Sequence, residues 1–130
     1  MIASALLSSC AGGTVHEHPQ KGPAHAGTPA AVDSVRWQAN PETTEGIRGM
    51  QALVDGLPGN GLGGAQLRDS LNARMAMIFD RCTMDGEAHE ALHAYLLPLM
   101  GMIKRLPDEP SSAHVDSLRT HLRHYGEVFR

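Results

Sequence analysis

Aromatic side chains are scarce in this 130-residue chain: one Trp, two Tyr and two Phe, 4% of the whole. Any core built from it must be filled mainly by Leu, Ile, Val, Met and Ala. Cysteine is scarcer still, with Cys10 and Cys82 the complete set. A dominant charge is missing too. Eleven Lys and Arg against 14 Asp and Glu leave a formal charge of −3, and no basic stripe marks a nucleic-acid partner. No run of 18 or more apolar residues exists, so no segment reads as a membrane-spanning helix. There is also no G-x-S-x-G elbow and no phosphate-loop pattern, which removes those routes to hydrolysis and nucleotide binding.

What the chain does have begins at its N-terminus. Met1-Ile2-Ala3-Ser4-Ala5-Leu6-Leu7 is a short apolar run without Lys or Arg, and Leu7-Ser8-Ser9-Cys10 follows, then Ala11-Gly12-Gly13. A Leu, two small residues and a Cys resemble the lipobox of bacterial lipoprotein precursors. That resemblance implies that residues 1–9 are a signal peptide, that Cys10 is the lipid attachment site, and that the protein is held to a membrane of the cell envelope. Ala11, where an Asp usually signals retention, resembles lipoproteins sent to the outer membrane, which puts the domain in the periplasm. Residues 11–35, rich in Gly, Pro, Ala, Thr and His, contain almost nothing that could form a core, as expected of a flexible tether. With Cys10 consumed by lipid, Cys82 is an unpaired thiol in an oxidising compartment, and no intramolecular disulfide staples the domain.

Residues 36–130, about 95 in all, suffice for one small domain. Its apolar periodicity is helical throughout. Asn40-Pro41 reads as an N-cap followed by a first helical residue, with Glu42 and Glu45 matched to the helix dipole. Ile47, Met50, Val54 and Leu57 share a face, which Gly56 and Pro58 end, while Gly46 and Gly49 weaken this helix. A second helix carries Leu67, Leu71, Met75, Ile78, Phe79 and Cys82 as its apolar stripe. A third carries Leu92, Leu96, Leu99, Ile103 and Leu106, with Ala88 or His89 leading, and Pro98 inside it is expected to kink it or end it early. Ser111 or Ser112 caps a fourth with Val115, Leu118, Leu122, Tyr125 and Phe129. Four amphipathic helices on short loops predict an all-α fold, an antiparallel four-helix bundle after a flexible N-terminal tether.

Chemistry concentrates at the turn between the second and third helices. His89 and His93 lie one helical turn apart on one face, close enough for both imidazoles to reach one ion. Cys82 ends the preceding stripe and Met84 sits in the turn. Cys82, Met84, His89 and His93 together form a soft donor set that suits copper, and Cys with His alone suits zinc. Further His residues, His16, His18 and His25, lie in the tether. His89-Glu90-Ala91-Leu92-His93 also resembles the H-E-x-x-H of zinc metallopeptidases, which implies His89 and His93 as ligands and Glu90 as base. Ala91 stands where those enzymes carry a bulky apolar residue, and Glu109 and Glu127 are the only glutamates downstream. A b-type haem held by His89, His93, His121 or His124 with Met50 or Met75 is a further alternative. The bland reading is that Cys82 is a small core residue and the two His are solvated at the bundle's edge. The function expected from these residues is a non-enzymatic, membrane-anchored envelope lipoprotein acting as a binding or structural module for an envelope protein, with soft-metal binding as the alternative.

Overall fold

Pro41, Gly64, Gly86 and Ser112 open the four helices of the computed structural model, which describes residues 35–130. The lipobox with Cys10, and the tether histidines His16, His18 and His25, lie outside the described residues. The helices are α1 Pro41–Asp55, α2 Gly64–Arg81, α3 Gly86–Lys104 and α4 Ser112–Val128. Each packs on its neighbours in sequence, and α1 also packs on α4, closing the ring. Every adjacent pair is antiparallel. Asn40 at the start of α1 reaches the carbonyl of Arg81 at the end of α2, Phe79 of α2 lies beside His93 of α3, Tyr95 of α3 binds the carbonyl of His121 in α4, and Thr44 of α1 meets Tyr125 of α4. The fold is thus the antiparallel four-helix bundle that the periodicity predicts.

One core runs through it. Ile47, Met50 and Val54 from α1, Leu67, Leu71, Met75 and Ile78 from α2, Leu92, Leu96, Leu99 and Ile103 from α3, and Leu118 and Leu122 from α4 are all buried. The few aromatic residues gather at one pole, where Tyr95, Tyr125 and Phe129 contact one another with ring centroids 5.0–6.1 Å apart. Trp37 joins them by backbone: its N–H donates to Val128 at 2.8 Å and its carbonyl accepts from Arg130 at 2.9 Å. This isolated bridge, Trp37 with Phe129, ties the segment ahead of α1 to the exit of α4.

Gly46 has a purpose that propensity alone hides, and Gly49 differs from it. A Cβ on Gly46 would stand 2.5 Å from Cγ1 of Ile78, and one on Gly49 would stand 2.9 Å from Nε of Arg74. The two glycines cost α1 helical propensity, and while a Cβ at Gly49 would only displace the flexible end of Arg74, Gly46 in exchange lets α2 lie close against it. Gly64 does the same at the start of α2, where a Cβ would meet the Pro107 carbonyl oxygen and where its N–H donates to Asp108 at 2.8 Å.

Three sequence expectations change. Phe79 is not part of the buried stripe; it is 46% exposed, because the α2 face that buries Met75 and Ile78 turns Phe79 toward α3's outer side. Pro98 does not end α3, which continues to Lys104; the prolyl ring lies on an exposed face, and only the Ala94 carbonyl loses its helical donor. Asn40 occupies the N-cap of α1 without capping it by side chain. Its Oδ1 accepts from the buried Thr43 hydroxyl at 2.6 Å, and its Nδ2 donates to the Arg81 carbonyl at 3.1 Å.

The carbonyl ends of α1 and α4, and the loop after α3, are also held by donors from distant parts of the chain. Arg119 of α4 donates to the Val54 carbonyl at 3.2 Å and to the Asp55 carboxylate at 3.0 Å, sealing α1. Arg68 of α2 donates to the Leu106 carbonyl and pairs with Asp108 at 2.9 Å, beyond the end of α3. Arg36 donates to the Gly126 carbonyl of α4 at 3.2 Å. Arg119 and Arg36 meet carbonyls at helix C-termini, where intrahelical donors run out; α3 is capped by the N–H groups of Arg105 and Leu106, and Arg68 holds the loop that follows it.

Paired substitutions check these contacts by chemical denaturation. Gly46→Ala is expected to destabilise the domain by about 1–3 kcal/mol through overpacking. Gly126→Ala, whose Cβ meets nothing within 4 Å, should stabilise it by up to about 1 kcal/mol. Arg119→Ala should cost about 1–2 kcal/mol through the lost carbonyl and carboxylate bonds. Arg123→Ala, whose exposed guanidinium stands 3.5 Å from the same Asp55, should cost less than about 0.5 kcal/mol.

Alkaline pH gives a separate check. Burial pushes the Tyr95 hydroxyl well above the ordinary tyrosine value of 10, and Tyr125 moves the same way, also through burial, against the opposing bond from Thr44. Above pH 10 the unfolded chain therefore releases protons that the folded chain keeps, and stability falls as pH rises. Urea midpoints should be level at neutral pH and decline above about pH 10. Tyr95→Phe should lower stability near neutrality by about 1 kcal/mol and flatten the alkaline decline; an unchanged decline would count against this assignment.

Candidate functional site

Two residues that end and begin adjacent helices meet because the turn between them is short. Cys82 is the C-cap of α2, in extended conformation with φ −67° and ψ 123°. Asp85 is the N-cap of α3, and Gly86 follows with φ +55°, a left-handed value that glycine accommodates without strain. This reversal folds α3 back along α2, and His89, in its first turns, swings onto the thiol. The Cys82 Sγ lies 3.7 Å from His89 Nδ1. His93, one turn further on, stacks obliquely on His89 with ring centroids 4.4 Å apart, and the exposed ring of Phe79 lies 6.4 Å from His93.

Burial grades outward through the cluster. Cys82 and His89 are half-buried, and His93 and Glu90 are exposed. Met84 is half-buried in the turn and packs against the core, as Cys82 also does. Three of the sequence-derived donors, Cys82, His89 and His93, are therefore adjacent in space, with Met84 in the same turn. Glu90 shares α3 with the His pair and faces solvent. Among the described residues, no group of three or more His, Cys, Asp or Glu side chains is already placed around a common point as metal ligands.

The thiol–imidazole contact was not legible as a contact in the sequence, which placed both residues at the turn but could not orient them. Its signal was the spacing: only residues 82–85 separate the two helices. Such a pair has two chemical uses, as joint ligands of a metal ion or as a nucleophile with its base.

A second cluster lies along α4, in an open groove of about 880 Å³ lined by Met102, Thr120, His121, His124 and Glu127 among others. Its histidines are already engaged. His121 Nε2–H donates to the Tyr95 carbonyl at 2.9 Å and its ring stacks on Tyr95 at 4.6 Å, while His124 Nδ1 bonds the Glu127 carboxylate at 2.7 Å. Met50 and Met75, named with these histidines as haem ligands, are buried in the core. The α2–α3 turn is the stronger candidate because its thiol and imidazole face each other, whereas His121 and His124 are taken up by a carbonyl and a carboxylate.

No helix among the described residues is long and apolar enough to cross a membrane. Comparison with protein families, curated proteins and solved structures finds no match to this chain.

Proposed function

We propose that the chain is a membrane-anchored cell-envelope lipoprotein whose helical domain is a non-enzymatic binding module. The lipobox resemblance of Leu7-Ser8-Ser9-Cys10 carries this reading, together with a segment of Gly, Pro, Ala, Thr and His between Cys10 and the domain. On this reading the partners are the lipid surface and an envelope protein, with the domain facing the periplasm from the outer membrane.

One observation favours a more specific ligand. The 3.7 Å approach of Cys82 Sγ to His89 Nδ1, with His93 stacked on the same imidazole, supports binding of copper or zinc by Cys82, His89 and His93, with Met84 in the same turn as a soft fourth donor. The H-E-x-x-H resemblance draws on the same His pair and would add Glu90 as base.

Lipidation is tested in a bacterial host fed labelled fatty acid. The full chain should take up the label and sediment with membranes, and Cys10→Ser should abolish both. An unlabelled wild-type chain, or label retained by Cys10→Ser, overturns the lipoprotein reading.

A further inference from the structure

We infer that the outer face of α2 and α3 is a homodimer interface, on which a second copy of the chain docks antiparallel about a two-fold axis at Leu97. The inference stands on the folded domain and does not draw on the lipoprotein or metal readings.

An uncovered apolar face is the first observation. Among the described residues, the large apolar side chains open to solvent are Val35 at 78%, Leu97 at 64%, Phe79 at 46% and Met100 at 41%. Val35 lies ahead of α1, and the other three share one face. His93, Leu97, Met100 and Lys104 follow one another at three and four residues, so they lie along one side of α3. Phe79 of α2 stands beside His93, which brings it to the same face. A groove of about 400 Å³ between the two helices, lined by Met75, Met100 and Lys104 with Arg68, Asn72 and Gly101, continues this surface. A contiguous apolar patch rimmed by polar groups marks a contact surface rather than a scatter of single exposed residues.

Charge along α3 identifies the occupant. Glu90, Leu97 and Lys104 are spaced by seven residues, two helical turns, and all three are exposed. Neither Glu90 nor Lys104 is in an ion pair among the described residues, whereas Arg68 at the Lys104 end is already engaged by Asp108. In a two-fold contact, residue i of one copy meets residue j of the other and j meets i. An axis at Leu97 sets the two Leu97 side chains together. About 10 Å to either side, Glu90 of one copy lies opposite Lys104 of the other. Parallel docking would instead set Glu90 on Glu90 and Lys104 on Lys104, which like-charge repulsion opposes. A partner of different sequence gains nothing from this equal spacing; a second copy matches both charges at once. Phe79 and Met100 widen the contact on the α2 side.

Sedimentation equilibrium of the full-length chain carrying Cys10→Ser, which removes any lipid, tests this at low ionic strength. The face spans only a few turns of two helices, so a dimer with Kd of roughly 1–100 μM is expected, at the small end of stable interfaces. Leu97→Gln, an exposed and helix-compatible change, should weaken it at least about tenfold. Lys104→Glu should weaken it several-fold, and Glu90→Lys with Lys104→Glu should bring it back to within about threefold of the parent. Added salt should weaken the parent dimer as the two pairs are screened. A chain that stays monomeric to about 500 μM overturns the inference. So does a dimer indifferent to Leu97→Gln, or one that the double reversal does not restore. A monomer that co-floats with phosphatidylethanolamine–phosphatidylglycerol vesicles and loses this with Leu97→Gln assigns the face to lipid and equally overturns it. Circular dichroism of each variant checks that the bundle remains folded.

Discussion

Backbone carbonyls left over at helix C-termini are the constraint around which this small bundle is organised. Each helix ends with carbonyls that its own turns cannot satisfy, and burying such groups without a partner costs about 1–3 kcal/mol apiece. The chain answers with donors from other segments at three of the four ends, Arg119 at α1, Asn40 at α2, and Arg36 with the Trp37 backbone at α4, while α3 is capped by the N–H groups of Arg105 and Leu106 and Arg68 holds the Leu106 carbonyl just beyond it. Each cross-chain bond joins two segments, so satisfying the carbonyls also fixes the mutual register of the helices. A domain with few aromatic residues and a single cysteine among its described residues thereby gains directional links that a core of Leu, Ile, Val and Met does not itself supply.

Much of this architecture was legible beforehand, for identifiable reasons. Apolar spacing at three and four residues located every helix, and local chemistry located their ends: Asn40-Pro41 before α1, Gly56 after it, and Ser111, whose hydroxyl accepts from His114, before α4. Side-chain roles that depend on a neighbouring helix were not legible. Gly46 looks like a flaw until Ile78 is seen against it. Arg119 sits midway along α4, where its sequence context gives no sign that it closes α1. Phe79 fits the helical stripe by count, but position on a wheel cannot say where the partner helices stop covering it.

The candidate site divides along the same line. Cys82 and His89 were predictable neighbours because a turn of four residues leaves the chain little freedom, and His89 with His93 followed from helical geometry alone. The approach of sulfur to Nδ1 needed the reversal at Asp85 and Gly86, where a positive φ sets the angle at which α3 returns. The site also shares a pole with the start of the described chain, since Asn40 bonds the carbonyl of Arg81, the residue next to Cys82.

The Trp37–Phe129 bridge makes the bundle nearly a closed loop of polypeptide. The strip ahead of α1 and the strip after α4 run side by side, with Ala39 N–H also donating to Arg130 at 3.1 Å. A short peptide linker could join them without moving a helix. The chain could then be cut open in the glycine-rich connection at residues 56–63, giving a permuted molecule that begins with α2 and finishes with α1. The order in which the four helices are synthesised would change, while every cross-chain bond that closes a helix end could still form.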